Sequence, residues 1–116
     1  MQTREEAINY CLKLESTYED YPFKDKNWTL IRHNENKKVF AWIFNRDDHI
    51  WINLKCEAGW LDFYRQNYPS IVPAFHLNKD HWNSIILDGT IPEEVIYDLI
   101  RRSYNLTKQK RLERCD

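Results

Sequence analysis

The densest group of side chains with binding chemistry lies between positions 68 and 83. It culminates in the segment His76-Leu77-Asn78-Lys79-Asp80-His81-Trp82-Asn83. Lys79 offers a point charge for an anion, Trp82 offers a flat face for stacking, and Asn78 and Asn83 each offer a donor and an acceptor. Because binding groups are commonly displayed on loops, we predict that this segment forms a binding surface.

A structural role is the alternative for several of these residues. An asparagine can cap a turn through its own backbone, and a tryptophan buries so much area that core packing is the favoured interpretation of Trp82. We therefore expect Lys79, His76 and His81 to be the residues that contact a ligand.

The histidines alone do not make a metal site. His76 and His81 are five residues apart, whereas zinc needs three or four thiolate or imidazole ligands. Cys56 could join them only if the fold brought it close. The sequence predicts no metal ion.

Patterns that carry catalysis are missing as well. With glycines only at positions 59 and 89, the chain has no glycine-rich phosphate loop. The acidic pairs at positions 19–20 and 47–48 are typical of solvated turns, because acid–base catalysis would need burial to separate their pKa values. We predict a binding module without a cofactor and without enzymatic activity.

Composition limits the class of protein. The chain has 116 residues, of which 42% are hydrophobic and 30% charged, and its net charge is -1. This length and composition predict one domain, which we place at residues 1–107. No apolar run reaches the ~20 residues that span a bilayer, so we expect a cytoplasmic protein that does not enter a membrane. We also expect it to be monomeric.

Basic side chains concentrate near the C-terminus, and we treat residues 108–116 as a basic, flexible tail. The positive charges there and just before it are Arg101, Arg102, Lys108, Lys110, Arg111 and Arg114. They are typical of a solvated helix end, where cations meet the negative end of the dipole. An arm that contacts phosphates is the alternative.

The three cysteines are odd in number and widely spaced, which argues against a disulfide framework. We predict that Cys11 and Cys56 are small core residues and that Cys115 is exposed in the tail.

Three helices are expected to position the binding segment. Thr3 and Glu6 form a capping box that begins the first helix. A short helix over residues 57–67 should turn Trp60, Leu61 and Tyr64 inward. Pro92 suits the first turn of the last helix. Residues 15–23 read as an irregular, aromatic-rich loop.

Strands are predicted at residues 28–33, 38–44, 49–55, 70–76 and 82–87, where strand-forming residues alternate between polar turns. The resulting order is α-β-β-β-α-β-β-α. Helices against one antiparallel sheet make an α+β, two-layer sandwich.

Several short motifs in this order resemble the MmcQ/YjbR family of small bacterial proteins. They are Asp20-Tyr21-Pro22-Phe23, Lys38-Val39-Phe40-Ala41, Asn53-Leu54-Lys55-Cys56, Tyr68-Pro69, the segment from His76 to Asn83, and Ser103-Tyr104. The resemblance covers almost the whole chain. It implies a frataxin-like (CyaY-like) fold and DNA binding of a "double wing" type, in which loops of the sheet act as wings.

The sequence departs from the family pattern at a few positions. Lys24 stands where a glycine commonly follows the Pro-Phe pair, and residues 34–37 replace a glycine-containing turn. Asp47 and Asp48 would repel phosphate if their hairpin acted as a wing. The first helix and the 28–33 strand lack the acidic ridge of frataxins, so we do not expect iron binding.

Two functions follow as hypotheses. The first is DNA binding, in which lysines contact phosphates, the two histidines assist and Trp82 stacks on a base. The candidate residues are Lys37, Lys38, Lys55, His76, Asn78, Lys79, His81, Trp82 and Asn83. The second is a domain that binds a protein or a small ligand and has no nucleic-acid role, which the acidic balance of residues 49–100 and the aromatic content favour.

Overall fold

Nine helices and strands form the part of the chain that the computed structural model describes, which is residues 1–108. They are α1 Arg4–Leu12, β1 Thr17–Asp20, β2 Thr29–His33, β3 Val39–Arg46, β4 His49–Lys55, α2 Ala58–Asn67, β5 Ile71–Pro73, β6 Trp82–Leu87 and α3 Glu93–Thr107.

The strands form one antiparallel sheet in the order β1-β2-β3-β4-β6-β5. A two-residue turn joins β3 to β4, and both of its residues, Asp47 and Asp48, have positive φ angles of 54° and 65°. Such a turn matches the right-handed twist of the flanking strands, and aspartate tolerates this conformation better than most residues.

The helices cover one face of this sheet. α1 packs on β1, β2 and β3, α3 packs on β3 and β4, and α2 packs on β5 and β6. The capping box at the start of α1 is present, and Cys11 and Cys56 are buried core residues as predicted. The hydrophobic core lies between these helices and the strand side chains that face them, such as Ile43, Ile52 and Ile85.

Three local predictions were wrong in whole or in part. The strand predicted at residues 70–76 is confined to Ile71–Pro73. Residues 17–20 form an edge strand paired with β2 and not a loop, because the partner strand fixes a conformation that the local sequence leaves open. Trp60 does not point inward: it is 43% exposed. Leu61 and Tyr64, three residues apart, form the buried stripe of α2, and Trp60 lies beside it.

The α+β, two-layer class with an antiparallel sheet is confirmed, with one strand more than expected. Among residues 1–108, no helix is both long and apolar enough to cross a membrane. The likeness to frataxin stays a prediction. The basic tail was predicted at residues 108–116. Of these, the structure describes Lys108 alone, and the others lie outside the described residues.

Candidate functional site

The second face of the sheet, opposite the helices, is rich in aromatic rings. Two loops cover it, at residues 21–28 and 74–81. Trp42 and Phe44 of β3 and Trp51 of β4 point to this face, by alternation with the core residues. Trp28, just before β2, stacks on Phe44 with 4.4 Å between ring centroids. Phe75, in the loop after β5, lies 5.8 Å from Phe44.

Two buried polar side chains fasten the loop at residues 74–81 to this face. The amide nitrogen of Asn53 donates to the carbonyl of Phe75 at 2.9 Å. The backbone N–H of Phe75 donates to Oγ of Ser84 at 2.9 Å, and that hydroxyl donates to the amide oxygen of Asn53. Asn53 and Ser84 are fully buried, so water cannot reach their polar atoms. Loss of any of these hydrogen bonds would therefore leave a buried polar group without a partner.

A cleft of about 340 Å³ opens between the two loops. We call it the aromatic cleft; its lining residues are Phe23, Asp25, Trp28, Trp42, His76 and Leu77. The planes of Trp28 and Trp42 are perpendicular, at 86° and 6.3 Å between centroids. Phe23 lies nearly parallel to Trp42, at 22° and 6.4 Å. Three aromatic rings therefore line one small cavity.

Of the described residues, Asp25 alone supplies a carboxylate to the lining. Its Oδ1 accepts a hydrogen bond from the backbone N–H of Asn27 at 2.9 Å, which fixes the side chain and leaves the second oxygen free of any bond from residues 1–108. Within that part of the chain Asp25 forms no ion pair. The buried indole N–H of Trp42 has no partner among the described residues either.

The predicted segment from His76 to Asn83 divides into groups with different surroundings. His76 is exposed, lines the aromatic cleft and has a positive φ of 67°. A strained backbone at a non-glycine residue is more common at functional sites than elsewhere. Asn78 is exposed, but its side-chain oxygen accepts from the N–H of Asp80 at 2.8 Å and so builds the turn. Lys79 and His81 are exposed.

Asn83 lies on the other side of the sheet. It is 2% exposed, its amide oxygen accepts from Nε of Arg65 at 2.6 Å, and its amide nitrogen donates to the carbonyl of Leu61 at 3.3 Å. These bonds join β6 to α2, so we assign Asn83 to the fold. Trp82 is half-buried and lies opposite Lys55 in the sheet.

The four candidate lysines share one end of the sheet, which we call the lysine end. Lys37 and Lys38 lie in the turn before β3, and Lys55 is the last residue of β4. Lys79 lies three residues before β6, whose first residue pairs with Lys55. Lys37, Lys38 and Lys79 are exposed, and Lys55 is half-buried. Among residues 1–108 no lysine forms an ion pair.

The end of α3 adds one cation to this region. Lys108 lies close enough to His33 at the end of β2 that its charge helps to lower the pKa of that histidine, after the larger effect of burial. Arg101 and Arg102 are engaged elsewhere. Arg101 bonds to the hydroxyl of Tyr10, and Arg102 pairs with Asp98 and Glu57 at 3.0 and 3.4 Å.

The described residues hold no metal centre and no activated thiol. No group of three or more histidine, cysteine, aspartate or glutamate side chains that could hold a metal ion occurs in residues 1–108. Burial raises the pKa of Cys11 to about 12 and that of Cys56 to about 11, whereas a nucleophilic cysteine needs a lowered pKa.

Sequence reasoning missed the aromatic cleft. Its signal was the run from Val39 to Phe44, which is apolar at every position. A strand that is apolar on both sides is buried on both faces, so a cover over the second face could have been inferred. Which loops supply that cover depends on contacts between residues more than 30 apart, such as Trp28 and His76.

Comparisons with known proteins agree in sequence and in structure. The family model YjbR matches residues 12–106. The uncharacterized protein YyaQ of Bacillus subtilis is 40% identical over 119 residues, which cover 93% of this chain and 100% of that protein. The uncharacterized protein YjbR of Escherichia coli K12 is 26% identical over 102 residues, which cover 88% of this chain and 84% of that protein.

Two solved structures share the architecture. A crystal structure of a Deinococcus radiodurans protein superposes with a TM-score of 0.85 at 33% identity, over 95% of this chain and 81% of that one. A crystal structure of a Pseudomonas syringae protein gives a TM-score of 0.82 at 30% identity, over 91% of this chain and 99% of that one.

Proposed function

The chain belongs to the YjbR family, as the resemblance predicted, and on that premise we propose that it is a DNA-binding module whose lysine end contacts phosphates. One observation supports this proposal above the others. The sheet register gathers Lys37, Lys38, Lys55 and Lys79 at a single end, although they are spread over 43 positions of the sequence.

The geometry suits two loops that straddle a duplex. The turn at residues 34–38 precedes β3, and the loop at residues 74–81 precedes β6, with β4 between these strands. Two strand spacings make about 10 Å, which is close to the ~12 Å width of the major groove of B-DNA. We propose these two loops as the wings.

The acidic hairpin is no obstacle to this arrangement. The register pairs Arg46 with His49, so Asp47 and Asp48 cap the end of β3 that is opposite the lysine end. The acidic residues closest in sequence to the four lysines are Glu35 and Asp80, each in one of the proposed wings, and Glu57, which pairs with Arg102. They lower the local positive potential without pairing with a lysine, so binding should be moderate and sensitive to salt.

Fluorescence anisotropy with labelled duplex and single-stranded DNA at several salt concentrations tests the proposal. Affinity should fall steeply as salt rises, because phosphate neutralisation releases counterions. Lys79→Glu should weaken binding to all sequences alike, since a phosphate contact carries no sequence information. No binding at low salt, or an affinity independent of salt, would contradict the proposal.

The alternative is a domain that binds a small ligand and no nucleic acid. The aromatic cleft favours it, because concave sites lined by aromatic side chains with a few polar groups are typical of small-molecule sites. In either case we propose binding without catalysis.

A further inference from the structure

The aromatic cleft has a chemical character that the lysine end does not share. Three rings line it, from Phe23, Trp28 and Trp42, and Asp25 is the one carboxylate that residues 1–108 contribute. Among residues 1–108, no lysine or arginine belongs to the lining. Lys24 and Lys26 are the sequence neighbours of Asp25, but neither belongs to the lining of the cleft.

Ring faces and a carboxylate together attract a cation. The negative face of an aromatic ring stabilises a cation within about 6 Å of its centroid, and tryptophan does so best. Trp28 and Trp42 are perpendicular, with 6.3 Å between their centroids, so one cation can lie within that distance of both. The free oxygen of Asp25 supplies the balancing negative charge.

From this combination we propose that the aromatic cleft binds a compact organic cation of the methylated ammonium class. Such a head group presents apolar methyl groups that fit a lining of aromatic rings and Leu77. It is held by its charge and needs no hydrogen-bond acceptor in the lining. The cavity volume of about 340 Å³ is at the lower end of the range for ligand sites, which suits a small molecule.

Other ligand classes fit less well. An anion would meet the carboxylate of Asp25, and among residues 1–108 no lysine or arginine of the lining would balance its charge. A metal ion would need several oxygen or nitrogen ligands, of which the lining offers few. A flat neutral ring between Phe23 and Trp42 would need about 7 Å, twice the contact distance of carbon atoms, and their centroids are 6.4 Å apart.

Isothermal titration calorimetry with choline tests the proposal, with 3,3-dimethylbutan-1-ol as the neutral probe of the same shape. Ionic strength is kept constant with sodium chloride. Choline should bind at least about 10-fold more tightly than the alcohol, because only choline carries the charge that the rings and Asp25 stabilise. Equal affinity for the two probes, or no binding of choline, would overturn the proposal.

Two variants locate the site. Phe23→Leu and Asp25→Asn change exposed residues and should keep the fold, which circular dichroism verifies. Each should weaken choline binding about 5- to 30-fold. Trp60→Leu, which changes an exposed tryptophan on α2 outside the cleft, is the matched control and should bind as the wild type does. Unchanged affinity in both cleft variants would also contradict the assignment.

The test is independent of DNA binding. Lys38→Glu and Lys79→Glu alter the lysine end and should leave the affinity for choline unchanged, whereas Asp25→Asn should leave the salt dependence of DNA binding unchanged. Failure of one proposal therefore does not imply failure of the other.

Discussion

Nε of Arg65 on α2 donates a hydrogen bond to the amide oxygen of Asn83 on β6, over 2.6 Å. A second nitrogen of the same guanidinium donates to the carbonyl of Lys79. One side chain thus holds both the buried asparagine and the exposed loop that carries Lys79. The segment from His76 to Asn83, which the sequence predicts to be a binding surface, therefore also connects α2 to the sheet.

Replacement of Asn83 should destabilise the fold. Asn83→Ala removes the acceptor of Nε of Arg65 and the side-chain donor to the carbonyl of Leu61, so unfolding in urea should show a loss of about 2 kcal/mol in the free energy of unfolding. Gln66→Ala, at an exposed position of the same helix, is the control and should change stability by less than about 0.5 kcal/mol. A stable Asn83→Ala protein that had lost only DNA binding would place Asn83 in the interface instead.

Ser84 should control the order of the loop at residues 74–81. Ser84→Ala removes the hydroxyl that accepts from Phe75 and donates to Asn53, at a cost of about 1–3 kcal/mol. Amide hydrogen exchange should speed up at Phe75 and His76 more than at Ile52 in the core. Uniform acceleration across the sheet would mean that Ser84 supports the whole fold and not this loop.

His33 should make stability depend on pH. Burial, reinforced by the charge of Lys108, lowers its pKa below the ordinary histidine value of about 6.5. Between the lowered pKa and 6.5 the unfolded chain binds more protons than the folded one, so stability falls as the pH drops through 6.5 and is restored above it.

The measurement compares the urea midpoint of the wild type and of His33→Gln between about pH 7.5 and pH 5.5. The wild type should lose more stability over this interval, because glutamine does not titrate. The other three histidines are common to both proteins and cancel. Equal losses in the two proteins would assign the pH dependence to other groups.

Much of the fold follows from the sequence because the signals are local. The bounds of β4 and β6 agree with the alternation of residues 49–55 and 82–87, and the capping box of Thr3 and Glu6 locates α1. The strand at residues 17–20 does not follow, because within residues 1–108 it pairs with β2 alone and its conformation depends on that pairing.

The candidate site is predictable in part for a related reason. Lys79 and His76 stand out by residue type and are exposed. The exposure of a side chain, however, depends on which face of the sheet it meets, so Asn83 and Asn78 look alike in sequence and differ in burial. The contribution of Phe23 and Asp25 to the aromatic cleft depends on how the loop before β2 folds over the sheet, which no periodicity records.

The two core thiols should be inert in the native protein. Burial raises the pKa of Cys11 to about 12 and of Cys56 to about 11, so at about pH 8 almost no thiolate is present. In a Cys115→Ser background, iodoacetamide should label neither residue until denaturant is added. Rapid labelling of Cys56 in the folded protein would instead indicate a reactive thiol at the end of β4 and reopen the question of catalysis.

The salt dependence of duplex DNA binding tests the central claim most directly. Each phosphate neutralised contributes about 0.9 to the slope of log K against log salt. Conversion of Lys37, Lys38, Lys55 and Lys79 to glutamine should therefore reduce the slope by about 3 to 4. The matched control, Lys24→Gln with Lys26→Gln, removes two lysines from the loop between β1 and β2, at the opposite end of the sheet, and should keep the wild-type slope. Equal slopes for the wild type and the fourfold variant would contradict the proposal that the lysine end binds DNA.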